Sequence, residues 1–164
     1  MGKRSDFPRH PRDDYATPEE AFAPLGRFLD KARPIIEPCP GAGQLVQHMR
    51  KAGFEVTAVH DDARLADYPA RCDFQFVTNP PWTRSILHPI IINLSDQATT
   101  WLLMDADWMH LASARPFLTR LRAIVSVGRV QWFPGSASAG KDNSAWYRFE
   151  RPNGRAHTRF HGRQ

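Results

Sequence analysis

Two cysteines, Cys39 and Cys72, are all that this chain of 164 residues carries, and their spacing suits neither a disulfide framework nor a metal site. Seven histidines, with no paired cysteines to complete a zinc site, are read as solvated or structural. No apolar run approaches the ~20 residues of a membrane-spanning helix. The opening MGKRSDFPRHPRDD is polar throughout, so no leader peptide is expected. There is no internal repeat, and the one low-complexity stretch is the loop PGSASAGKDN. These gaps argue against a secreted disulfide scaffold, a zinc module and a helical membrane protein. A single globular domain with reduced thiols, expected in the cytoplasm, is left, and 41% hydrophobic and 24% charged residues suit it.

Charge is present but unevenly placed. Residues 1–12 carry Lys3, Arg4, Arg9 and Arg12 against Asp6, a sum of +3. Residues 148–164 carry five arginines against Glu150, a sum of +4, so with a total of +5 the middle holds −2. Basic ends on a near-neutral body suit a grip on a polyanion. The expected organisation is a basic arm over 1–14, one domain over 15–150 and a basic tail over 151–164.

Strand and helix patterns alternate through the first two-thirds. TPEEAFAPLGRFLDKA opens with Thr17, a proline and two glutamates, and predicts a helix of about a dozen residues. PIIE, FEVTAVH, RCDFQFVTN and TTWLLMDA predict strands, with helices over GQLVQHMRKAG and from Arg84 to about Leu94. DWMHLASARPFLTRL predicts a helix interrupted at Pro116. AIVSVGRVQWF and SAWYRFE, with no helix between them, predict an antiparallel hairpin closing one sheet edge. The alternation implies an α/β fold with a mostly parallel sheet and helices on its faces.

Two stretches interrupt this pattern with chemistry. Between the first strand and its helix stand Glu37 and the turn residues Gly41 and Gly43. Glycines there let the chain turn sharply and let a ligand approach a helix N-terminus. The third glycine of a dinucleotide fingerprint and the Lys-Ser/Thr of a phosphate loop are both missing, and a carboxylate at a strand's end suits a cationic group. The second stretch is Asn79-Pro80-Pro81-Trp82, which ends an apolar strand in a stiff corner carrying an amide and an indole. A purely structural corner needs neither side chain.

Glu37-x-x-x-Gly41-x-Gly43 followed by Asn79-Pro80-Pro81-Trp82 resembles the motif pair of S-adenosylmethionine-dependent DNA adenine-N6 methyltransferases, in particular their small phage-type members. The resemblance implies a Rossmann-like class I methyltransferase fold with an antiparallel C-terminal hairpin, and a bacterial or phage-infected host cell. It implies S-adenosylmethionine held by Tyr15, Thr17, Pro18, Glu37, Cys39, Gly41, Gly43, Asp61 and Asp67. Asp61 would hold ribose in place of the family's usual acid, where this chain has His60, and Asp67 would hold adenine. Asn79, Pro80, Pro81 and Trp82 would present the target amine. DNA is the expected acceptor, as substrate of a monomer or weak dimer. RNA adenine, a protein glutamine amide and a non-catalytic nucleic-acid-binding subunit are the alternatives. Nothing after the last hairpin resembles a target recognition domain.

Overall fold

In the computed structural model, which describes residues 16–68, 73–132, 142–154 and 157–163, seven strands form one sheet. Strands β1 (Ile35–Glu37), β2 (Val56–Ala58), β3 (Gln75–Thr78) and β4 (Thr99–Asp105) pair in parallel in the order 2-1-3-4. Three more strands extend it: β5 (Leu121–Arg129), β6 (Asn143–Phe149) and β7 (Arg159–His161). The complete order is 2-1-3-4-6-5-7. Helix α1 spans Glu19–Phe22, α2 spans Gln44–Lys51 and α3 spans Arg84–Gln97. The expected mostly parallel α/β sheet with a late antiparallel hairpin is therefore present.

Three expectations need correction. The dozen-residue helix after Thr17 is cut to four residues, because Pro24 supplies no N–H to continue it; a single 3-10 turn at Gly26–Phe28 follows. The segment after β4 forms 3-10 pieces, Trp108–His110 and Ala112–Arg120, with Pro116 inside the second instead of interrupting a helix. The late hairpin does not close the sheet edge. β6 inserts between β4 and β5, antiparallel to both, and β7 lies outside β5 in parallel. Residues 159–161 thus belong to the sheet.

The two faces of the sheet divide the core by strand alternation. Trp101 and Leu103 of β4 and Trp146 of β6 face the cluster built with Leu25, Val46 and Met49. Leu102 and Met104, with Tyr147 and Phe149, face the cluster built with Leu87, Ile91 and Leu94 of α3 and with Trp108. Trp108 and Trp146 are core residues, at 3% and 0% exposure, whereas Trp132 packs against the first cluster only partly buried. No helix among the described residues is long and apolar enough to cross a membrane.

One buried bond ties the amino-terminal segment to the sheet. The Trp146 indole N–H donates to the Ala21 carbonyl at 2.8 Å. Trp146→Phe keeps most of the apolar contact but leaves that carbonyl buried and unpaired. We expect a loss of about 1–3 kcal/mol in unfolding free energy, measured by urea denaturation; an unchanged midpoint would show the bond is dispensable.

Candidate active site

Parallel strands deliver their last residues to one edge of the sheet, and there β1 and β3 lie side by side with Ile36 beside Phe76. Glu37 closes β1 and Thr78 closes β3. An open cavity of about 330 Å³ sits at this edge. Its walls combine Glu37, Cys39 and Gly41 from the first turn, His60 and Asp61 from beyond β2, and Asn79 and Pro81 from the corner after β3. Thr17, just ahead of α1, completes it.

Gly41 and Gly43 adopt φ values of 50° and 84°, where side chains with a Cβ are strained. Gly43 is the N-cap of α2, so the turn brings that helix's N-terminus, with its partial positive charge, to the cavity at Gln44 and Leu45. Glu37 lines the same cavity, fully buried. Its Oε1 accepts the Cys39 backbone N–H at 3.0 Å, while Oε2 has no hydrogen bond among the described residues. Burial pushes the carboxyl up to about 8; the Thr78 hydroxyl, nearby but not aligned for a hydrogen bond, and the Cys39 amide pull more weakly the other way. Burial, and then the Glu37 charge, push the Cys39 thiol up to about 12, so it stays a neutral thiol and no nucleophile.

The corner residue Asn79 is held from two sides. Its Nδ2 donates to the Thr17 hydroxyl at 3.1 Å, and its Oδ1 accepts the Trp82 indole N–H at 3.3 Å. The same indole donates to the Leu103 carbonyl at 3.0 Å, and its ring meets Trp132 edge to face at 5.8 Å. These contacts fix the amide's orientation.

Of the residues expected from sequence, the cavity gathers Thr17, Glu37, Cys39, Gly41, Asp61, Asn79 and Pro81. Pro18, Gly43, Pro80 and Trp82 adjoin it along the chain without lining it, and Tyr15 lies outside the described residues. So do Lys141 and most of the PGSASAGKDN loop. Asp107 takes a cap position before Trp108, but its side chain makes no cap bond. Asp62 is paired with Arg64 at 2.6 Å, which holds its carboxyl down to about 2, whereas neighbouring Asp61 faces the cavity. Asp67 is exposed and does not line it. No strand forms between β2 and Asp67; instead α3 pins this loop, Asn93 donating to the Ala63 and Ala66 carbonyls at 3.1 and 2.9 Å. Gln44 is a lining residue that sequence reasoning passed over, and His60, named there only as standing in the usual acid's place, lines the cavity as well. Gln44's position directly after Gly43 is the signal that could have found it.

No protein-family model matches this chain, and neither does any curated relative. Solved structures do. The chain is similar to the 23S rRNA methyltransferase ErmE, with TM-score 0.54 and 14% identity over 84% of this chain and 70% of that one. A candidate RNA methyltransferase from Pyrococcus horikoshii gives 0.53 and 12%, over 93% of this chain and 92% of that one. A candidate class I S-adenosylmethionine-dependent methyltransferase from Listeria monocytogenes gives 0.55 and 10%, over 88% of this chain and 65% of that one. At such identities the likeness is one of fold: the chain has the Rossmann-like class I methyltransferase fold.

The raised Glu37 carboxyl has a measurable consequence. Between its ordinary value of 4.5 and about 8, the folded chain holds a proton that the unfolded chain has released. Stability of the ligand-free protein should therefore fall as pH rises through that window. Glu37→Gln should flatten this fall and raise the melting temperature at pH 8 while changing it little at pH 5. Parallel pH–melting curves for the two proteins would contradict this.

Proposed function

We propose that this chain transfers a methyl group from S-adenosylmethionine to the exocyclic N6 amine of adenine in DNA. One observation carries the proposal: a single cavity brings Thr17, Glu37, Gly41 and Asp61 together with Asn79 and Pro81. S-adenosylmethionine, when bound, supplies an electrophilic methyl on a sulfonium. The donor set suits that molecule's methionine end, which carries an ammonium and a carboxylate. The orphaned, buried Glu37 Oε2 matches the ammonium, and the α2 N-terminus beyond the glycine turn matches the carboxylate. Asp61 is the acid available to ribose hydroxyls.

At the corner, the task is positioning. An adenine amine is a poor nucleophile because its lone pair is delocalised into the ring. Asn79 Oδ1 and the Pro80 carbonyl accept its two N–H groups, which turns the lone pair toward the methyl. As the N–C bond forms and the S–C bond breaks, positive charge grows on the nitrogen, and the same oxygens stabilise it until a proton leaves to solvent. The prolines keep the corner from relaxing. Trp82 offers a flat surface to the target base, a contact worth roughly 1–3 kcal/mol in single-strand binders.

RNA is the second acceptor to weigh, because two of the similar solved structures are RNA methyltransferases by name. The deciding experiment offers labelled S-adenosylmethionine with single-stranded DNA, duplex DNA, RNA and protein separately, and identifies the product by mass spectrometry. N6-methyladenine in DNA is expected. Asn79→Ala should lower transfer by about 100-fold or more while changing cofactor affinity less than about threefold. Full activity in that variant would overturn the proposed role of the corner.

A further inference from the structure

A second open cavity, of about 570 Å³, lies away from the strand ends that carry the first. One transverse rung of the sheet supplies its base. Trp101 of β4 pairs with Arg148 of β6, Arg148 with Ala123 of β5, and Ala123 with Arg159 of β7. All four line the cavity. Neighbouring strands stand about 4.8 Å apart, so the two arginines flank Ala123 at about 10 Å. The alanine methyl leaves a trough between them.

The trough is strongly positive for its size. Arg122 joins it where β5 shifts register between Leu121 and Ala123, and His157 and His161 line it as well. Glu150 is the one acidic lining residue, and it is shared between Arg122, at 3.5 Å, and Arg148. Three arginines against one glutamate leave +2. The arginines differ in role. Arg122 is 10% exposed and fastened to the Thr119 carbonyl at 2.8 Å and to Asn153 at 3.1 Å, which makes it part of the frame. Arg148 is 39% exposed, with its Nε lacking any hydrogen bond. Among the described residues, the exposed Arg159 side chain makes neither a hydrogen bond nor an ion pair. Trp101 and Phe28 form the apolar wall, where weaker screening strengthens the pull on an anion.

We propose that this trough binds a phosphate group, held by Arg148 and Arg159, and that the phosphate belongs to the backbone of a nucleic-acid strand. The phosphate site rests on the rung and its charge. The choice of a strand as the source rests on the function proposed above. Trp101 precedes Asp105, at the cofactor end of β4, by four residues, or about 13 Å. The trough therefore grips the strand apart from the base that is methylated, and it supplies affinity without reading sequence.

The test measures binding of a fluorescent single-stranded oligonucleotide by anisotropy across a salt series, with inorganic phosphate and adenosine monophosphate as competitors. Arg159→Ala, at the sheet edge, should weaken oligonucleotide binding about five- to tenfold at ~0.1 M salt and reduce the log–log salt slope by about 0.7. Arg148→Ala should act alike, with its melting temperature checked because it also releases Glu150. Arg159→Lys should restore most of the loss. S-adenosylmethionine affinity should not move in any of them. If Arg159→Ala lowers affinity for adenosine monophosphate but leaves the oligonucleotide untouched, the source is a free nucleotide and the backbone assignment is overturned. If it alters neither, the phosphate site is overturned. Absent methyl transfer with trough binding intact would refute the proposed activity alone.

Discussion

Parallel pairing of β1 with β3 is the constraint on which the site depends. It places Glu37 and the Asn79 corner, far apart in sequence, at one edge of the sheet. Parallel strands with helical crossovers all point their carboxyl ends the same way, so the turns that follow them share one surface. The turn after β1 and the corner after β3 then face each other across the cavity. Thr17 spans them, lining the cavity while its hydroxyl accepts from Asn79 at 3.1 Å. Trp146, through the Ala21 carbonyl, secures the segment that delivers Thr17.

Electrostatics at that edge come from one fixed partial charge and one group whose charge depends on what it meets. The α2 N-terminus presents partial positive charge, and Glu37 presents a carboxyl that burial keeps protonated well above the usual range. Without a cation, ionising it would strand a charge in the core beside an unsatisfied oxygen. An ammonium at Oε2 reverses the balance by favouring the ionised form. Under the proposed function, cofactor capture and Glu37 ionisation would be coupled in this way, and the neutral Cys39 thiol would stay a spectator.

The other half of the sheet serves a different purpose. Inserting β6 between β4 and β5 buries Trp146, Tyr147 and Phe149 completely. It also aligns Arg148 with Trp101, Ala123 and Arg159 on one rung. The basic C-terminal segment thus contributes Arg159 at a definite place beside the sheet.

Local chemistry alone determined several features. Apolar runs marked β3 and β4, because central parallel strands are buried on both faces, and the helical spacing of Leu45, Val46 and Met49 marked α2. The glycine turn and the Asn-Pro-Pro corner were legible because positive φ and missing N–H groups belong to particular residues whatever surrounds them. Helix length after Thr17 and the 3-10 geometry around Pro116 were not, since proline competes there with packing that sequence does not display. Only the tertiary structure decided that β6 lies inside the sheet and β7 outside it, because strand order depends on pairings between distant segments. It also separated Asp61, at the cavity, from Asp62, bound to Arg64, and from Asp67, exposed on a loop held by Asn93. All three are aspartates within seven residues of one another. What sets them apart is the position of a partner in space, and no local pattern encodes that.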